Sequence, residues 1–234
     1  MKKIAILQSN YIPWKGYFDL INQVDEFILY DDAQYTRRDW RNRNKIKTPQ
    51  GLQWLTIPVA TKGNYKQKIN EIKLSDSNWK ITHWKTLQRN YSKAPFFSDY
   101  GGIFSSLYLE NSYSYLSEVN EQFIRKINSI LGIKTHIRHS SEFILEEDRT
   151  DRLLGICQQC NAQVYLSGPA AQEYFDLSKA RERGIEVEWM SYEGYPEYNQ
   201  LYPSFEHNVT ILDLLFNEGP CAPKFMKSFH ENTI

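Results

Sequence analysis

Apolar residues recur along this chain in two rhythms, short continuous runs and stripes with a period of three to four. Residues 3–8 (Lys-Ile-Ala-Ile-Leu-Gln) form a run that predicts a buried strand. Tyr17, Leu20, Ile21 and Val24 then share one helical face that Gly16 opens. Glu26-Phe27-Ile28-Leu29-Tyr30 predicts a second strand ending at Asp31-Asp32. Strand, helix and strand make a βαβ unit, which implies parallel pairing. The connection 9–16 is long for such a unit, and α/β proteins place ligands at long connections beyond strand C-termini.

Further on, Trp54-Leu55-Thr56-Ile57-Pro58-Val59 predicts a third strand, and residues 68–74 alternate like a half-exposed one. Residues 75–91 predict a helix capped by Ser75 or Asp76. Residues 103–131 read as mostly helical, with a core stripe of Tyr115, Val119, Phe123, Ile127 and Leu131 closed by Gly132. Strands are expected at 133–139, 162–166 and 184–189, and helices at 149–160, after Pro169, and at 210–216. The expected architecture is one α/β domain over 1–234, a mostly parallel sheet with flanking helices and a mostly helical insertion at about 75–131.

Composition adds little to this and excludes some classes. The chain has 234 residues, 41% of them hydrophobic, so it is not disordered by composition. Its formal net charge is zero, so no global pull toward nucleic acid or membrane is expected. The balance is locally uneven: residues 37–47 hold six basic side chains (Arg37, Arg38, Arg41, Arg43, Lys45, Lys47) and one acid, Asp39, a window of +5. The start Met1-Lys2-Lys3 is basic like a signal peptide, but the apolar run behind it stops too early, at Gln8-Ser9-Asn10. No run approaches the roughly 18 apolar residues of a membrane span, so no membrane insertion and a cytoplasmic location are expected. Cys157 and Cys160 form a CxxC and Cys221 stands alone. No second ligand pair completes a zinc set, and buried cysteine as a small hydrophobe is the plainer account.

Several residues have chemistry worth placing. Gly16 at a helix start would let backbone N–H groups approach an anion, or would simply permit a tight strand-to-helix turn. Arg37, Arg38, Arg41 and Arg43 can clamp phosphate or carboxylate, with Trp40 and Asn42 between them to stack on a ring or pair with a base edge. A solvated charged loop is the alternative. Adjacent carboxylates on an extended chain point apart, so at most one of Asp31 and Asp32 would face a pocket, to act as a base or to bind Mg²⁺ through water. His83, on the predicted helix near Arg89, is the histidine best placed for general-base work, against a core or surface role. Ser167-Gly168 at a strand end, Tyr198 and Gln200 could touch a sugar. No Ser-His-Asp set, phosphate-loop or dinucleotide fingerprint is legible, so there is no organic cofactor motif and no dedicated metal-ligand set, and a bound nucleotide or nucleotide sugar is expected.

The segment Gln8-Ser9-Asn10-Tyr11-Ile12-Pro13-Trp14-Lys15-Gly16-Tyr17-Phe18 closely resembles the opening motif of the WbqC-like family. So do Asp25-Glu26-Phe27, Asp31-Asp32-Ala33-Gln34-Tyr35, Trp40-Arg41-Asn42-Arg43-Asn44-Lys45-Ile46-Lys47, Trp54-Leu55-Thr56-Ile57-Pro58-Val59, Asn90-Tyr91-Ser92-Lys93-Ala94-Pro95-Phe96-Phe97, Tyr165-Leu166-Ser167-Gly168, Pro196-Glu197-Tyr198-Asn199-Gln200 and the segment from Ile211 to Gly219. Ser9 departs from the pattern, where a Pro is expected after the Gln. The resemblance implies a companion of O-antigen and other surface-polysaccharide (lipopolysaccharide) gene clusters. A second likeness is of fold: the strand–loop–Gly–helix opening is similar to nucleotidylyltransferases, a Rossmann-like arrangement. The histidines of that signature are absent, since Pro13, Trp14 and Tyr17 stand in their places.

The expected substrate site therefore joins Gln8, Tyr11, Trp14, Gly16 and Tyr17 to Arg38, Trp40, Arg41, Asn42 and Arg43, with Ser167, Tyr198 and Gln200. Asp31 and His83 are the expected catalytic groups. The leading expectation is a transferase adding an acyl or aminoacyl group to a nucleotide-linked amino sugar, with an aminoacyl donor that includes tRNA. The alternatives are an ATP-using nucleotidyltransferase or ligase, and a non-catalytic nucleotide-sugar-binding scaffold. A loop contacting RNA is a further one, because of the +5 window.

Overall fold

A computed structural model describes residues 1–61 and 66–229. The strand β1 (Lys3–Leu7) leads through helix α1 (Lys15–Asn22) to β2 (Glu26–Leu29), with β1 and β2 parallel. The chain then leaves the sheet. It forms β3 (Arg43–Thr48) and β4 (Gly51–Thr56), then α2 (Trp79–Tyr91), α3 (Phe97–Leu109) and α4 (Leu116–Leu131). It returns as β5 (His136–His139) beside β2, crosses by α5 (Arg149–Gln159) to β6 (Val164–Ser167) on the far side of β1, and continues through α6 (Leu177–Glu182) to β7 (Glu186–Trp189). Helix α7 (Ile211–Glu218) follows.

The result is an α/β fold with a five-stranded sheet of order β5-β2-β1-β6-β7, every pair parallel. Period-two alternation sorts its side chains to two cores. Ala5, Phe27, Leu29 and Leu166 face the layer built by α1, α2, α3, α4 and α7. Ile4, Ile6, Ile28 and Tyr165 face the layer of α5 and α6. Strand order reverses between β1 and β6, so the crevice beyond their C-terminal ends is where such a sheet offers a ligand site.

Three expectations change. Residues 54–59 do not join the parallel sheet; β4 pairs antiparallel with β3 in a separate hairpin, Lys45 opposite Trp54. The sequence Arg-Asn-Lys-Ile-Lys-Thr hid β3 because its one strongly apolar residue, Ile46, cannot show a period. Residues 68–74 are not a strand but a 3-10 turn, Ile69–Glu71. Its buried residues, Ile69 and Ile72, are three apart, and that spacing suits a turn rather than a pleat. The helical stretch predicted over 103–131 is broken between Leu109 and Leu116, where Tyr115 is the N-cap of α4. Gly132 closes α4 in the left-handed region at φ 75°, as expected. No helix of the described residues is long and apolar enough to cross a membrane.

Candidate functional site

Two loops are laced together at the C-terminal end of β1. The Ser9 amide donates to Asp31 Oδ1 at 2.8 Å, tying the loop after β1 to the end of β2. Asn120, buried on α4, donates to Ser9 Oγ at 3.0 Å and to the Arg41 carbonyl at 2.9 Å. Tyr11 N donates to the Trp40 carbonyl at 3.0 Å. Asn44 on β3 donates to the carbonyls of Tyr11 at 3.1 Å and Ile12 at 2.9 Å. Ile12 is held at φ 36°, a conformation that β-branched residues avoid, and the lacing around it keeps it there.

These loops wall a cavity of about 270 Å³ lined by Asn10, Pro13, Trp14, Trp40, Asn44, Tyr192 and Asn208. Trp14 and Tyr192 meet edge to face, their ring centres 5.2 Å apart. A larger recess of about 570 Å³, between Lys73–Lys80 and Ser112–Tyr115, holds none of the residues at the sheet's C-terminal edge. Arg41 lies behind the cavity and donates to Asn10 Oδ1, with Asp39 Oδ2 3.7 Å from its other nitrogen. Burial lowers the Arg41 pKa, and Asp39, Tyr17 and Asp31 partly restore it. Its Nε has no partner. Burial raises the Asp31 carboxyl above its usual range, against the Ser9 N–H and the Arg41 charge.

The structure thus brings Trp14 and Trp40 to one cavity, with Arg41 and Asp31 behind it. Gly16 stands at the second position of α1, and a Cβ there would overlap the Trp14 indole. Its space belongs to Trp14 rather than to a backbone–anion contact. Gln8 contributes its carbonyl, which accepts from the buried Tyr17 hydroxyl at 3.1 Å.

Other expected residues go elsewhere. Tyr11 turns its ring away from the cleft into the helical layer, where its hydroxyl meets Tyr108 and lies 2.9 Å from His83 Nδ1. His83 is buried there beside Trp79, and burial lowers its pKa to about 4. It is thus a neutral core histidine and not a base facing the cavity. Asn42 donates to the Ile57 carbonyl at 2.8 Å, and Arg43 packs over Trp54 and donates to the Arg38 carbonyl. Arg38 is exposed, with φ 58°. The Ser167 hydroxyl bonds to Tyr165 on the α5–α6 side of the sheet. Tyr198 and Gln200 donate to the buried Asp213 at 2.8 and 3.0 Å, and Lys47 in turn donates to Gln200, so this is an internal strut. Asp32 accepts from Ser140 at 2.7 Å and from Lys68 at 2.9 Å. Cys157 and Cys160 are buried, and burial pushes both thiols up, Cys160 to about 11, so neither is a thiolate at neutral pH. Among the described residues no cluster of three or more His, Cys, Asp or Glu could hold a metal ion.

Asn10, Pro13, Asn44, Tyr192 and Asn208 complete the cavity wall and were not among the expected residues. His139, at the end of β5, lies outside the cavity wall and 3.1 Å from Glu121, which raises its pKa. Lys15 is buried, donates to the Pro196 carbonyl at 2.9 Å and lies 5.1 Å and 5.2 Å from the ring centres of Tyr195 and Tyr198. Burial lowers its pKa to about 8, while Asp19 and Glu197 oppose the change.

No solved structure matches the chain. A mycobacterial relative, "Uncharacterized protein Rv1507c" from Mycobacterium tuberculosis, is 50% identical over 227 residues, covering 97% of this chain and 98% of the relative. The family model described as the WbqC-like protein family matches residues 8–225, which include both laced loops and the cavity wall. This chain therefore belongs to the WbqC-like protein family.

Proposed function

We propose that the chain is a transferase of surface-polysaccharide biosynthesis that binds a nucleotide-linked amino sugar and receives an acyl or aminoacyl group onto it from an activated donor. The observation that carries this reading is the cavity of about 270 Å³ walled by Trp14, Trp40 and Tyr192, with side-chain amides between them. Flat aromatic faces with convergent amides suit a sugar or base ring. The cavity lies at the C-terminal edge of a parallel sheet, where α/β folds bind nucleotides. Arg41 behind Asn10 supplies positive charge for a diphosphate. In the transfer, the sugar amine attacks the donor carbonyl. The new C–N bond forms as the bond to the donor's carrier breaks, and the carrier leaves with that electron pair. The amine proton passes to a base; Asp31, buried behind the cavity wall with the Ser9 amide on its Oδ1, is the carboxylate we assign to it, reached through an intervening water or side chain.

Calorimetry with thymidine and uridine diphosphate amino sugars tests the reading. The wild type binds at least one, and Trp14→Ala weakens binding about tenfold or more, the scale of one lost stacking contact. Arg41→Ala weakens it further by removing the charge behind Asn10. No heat from any sugar in the panel would reject the proposal.

A further inference from the structure

Outside the cavity, the aromatic surface continues. Trp40 and Trp54 are 40% and 39% exposed, and their ring centres are 5.4 Å apart. Trp54 lies directly opposite Lys45 on the paired strand, so the two project from the same face of the hairpin. The Arg43 guanidinium lies 4.1 Å from the Trp54 ring centre, and Lys45 Nζ lies 5.1 Å from Trp54 and 5.9 Å from Trp40. Five of the six β4 residues are exposed, so the part of this face around Trp54 has no covering layer, while Lys47 at its other end is buried against Gln200.

Charge decides what would cover it. The window 37–47 is +5 in a chain of net charge zero; Arg41 lies behind the cavity and Lys47 is buried against Gln200, so Arg43 and Lys45 are the cations set beside these rings. The window's one acid, Asp39, is already engaged by Thr36 at 2.6 Å and by the Trp40 amide at 2.7 Å. A neutral glycan would leave these cations unused, and a simple anion would leave the tryptophans unused. Trp40 belongs to both the cavity wall and this face, so the two surfaces adjoin. A chain of flat rings separated by negative charges uses all of it.

We propose that the outer face of the β3–β4 hairpin binds the single-stranded end of a nucleic acid, stacking its bases on Trp54 and Trp40 and pairing its phosphates with Arg43 and Lys45. This rests on the proposed function only in leading that end toward the cavity, as the donor's carrier.

Fluorescence anisotropy with labelled single-stranded oligoribonucleotides and oligodeoxyribonucleotides of mixed sequence, titrated against the full chain over a range of salt, tests it. Binding is expected, with Trp54→Ala weakening it about tenfold and Trp54→Phe restoring most of it. Arg43→Ala with Lys45→Ala lowers the log–log salt slope by about 1.4, two cations at about 0.7 each. A preference for ribose or deoxyribose identifies which nucleic acid supplies the end. Three results overturn the proposal: no binding at about 100 µM protein, equal binding of a blunt duplex, or Trp54→Ala indistinguishable from wild type, which leaves an anion patch only. Calorimetry run in parallel separates the two readings. Nucleotide-sugar binding without oligonucleotide binding defeats this proposal alone. Oligonucleotide binding without nucleotide-sugar binding defeats the proposed function alone.

Discussion

Asn44→Ala tests the lacing that shapes the cavity. Asn44 is 3% exposed, and its amide is the donor to two carbonyls of the fully buried Tyr11 and Ile12. Removing it leaves both acceptors without that donor, at about 1–3 kcal/mol each. Release of Ile12 from φ 36° returns part of that, because such strain costs about 1–3 kcal/mol. The expected loss is about 2–4 kcal/mol, which lowers the urea midpoint by about 1 M for an m-value near 3 kcal/mol/M. Asn42→Ala is the control. Asn42 is equally buried but donates one bond, to Ile57 at 2.8 Å, so about 1–2 kcal/mol is expected. Equilibrium urea unfolding followed by tryptophan fluorescence and by circular dichroism gives both numbers. If Asn44→Ala costs no more than Asn42→Ala, the lacing does not hold the loop and the argument fails. Asn44 also lines the cavity, so the proposed nucleotide-sugar binding should weaken in Asn44→Ala and persist in Asn42→Ala.

Two further outcomes follow from the same geometry. Gly16→Ala should drive the Trp14 indole toward the cavity, destabilise by about 1–3 kcal/mol as overpacking does, and weaken ligand binding in calorimetry; unchanged affinity with unchanged stability would contradict the contact. Lys15 has its pKa lowered from 10.5 to about 8 in the folded chain, so the unfolded chain binds more protons between those values. Stability should therefore rise as pH increases from about 8 toward 10.5. Lys15→Met should lack that rise in urea unfolding across the same range, and a rise of equal size in the variant would assign it to other groups.

Much of the fold was legible because the parallel strands are short apolar runs and the long helices have clean stripes. Residues 3–8, 26–30 and 162–166 each lie on an observed strand of the sheet, and Val119, Phe123, Ile127 and Leu131 are core residues of α4. The hairpin was not legible, because β3 buries Asn44, Lys47 and Thr48 beside Ile46 and so carries no apolar pattern. The site was half legible for a related reason. A motif names residue types but not the direction in which each points. Tyr11 and Trp14 belong to one segment, yet Tyr11 anchors the loop in the helical layer while Trp14 walls the cavity.

By itself the sequence determined the family, the parallel α/β class, the neutral charge with one basic window, and the loop after β1 as the place to look. These depend on local periodicity and composition, which a linear chain displays. Only the tertiary structure decided that His83 is a core residue, that Tyr198 and Gln200 serve Asp213, and that Asn10, Tyr192 and Asn208 join Trp14 and Trp40 around one cavity. The physical reason is separation along the chain. Asn10 and Asn208 meet because strand order reverses at β1 and the segment after β7 folds back over the sheet's edge, and no local pattern records which distant residues that path brings together.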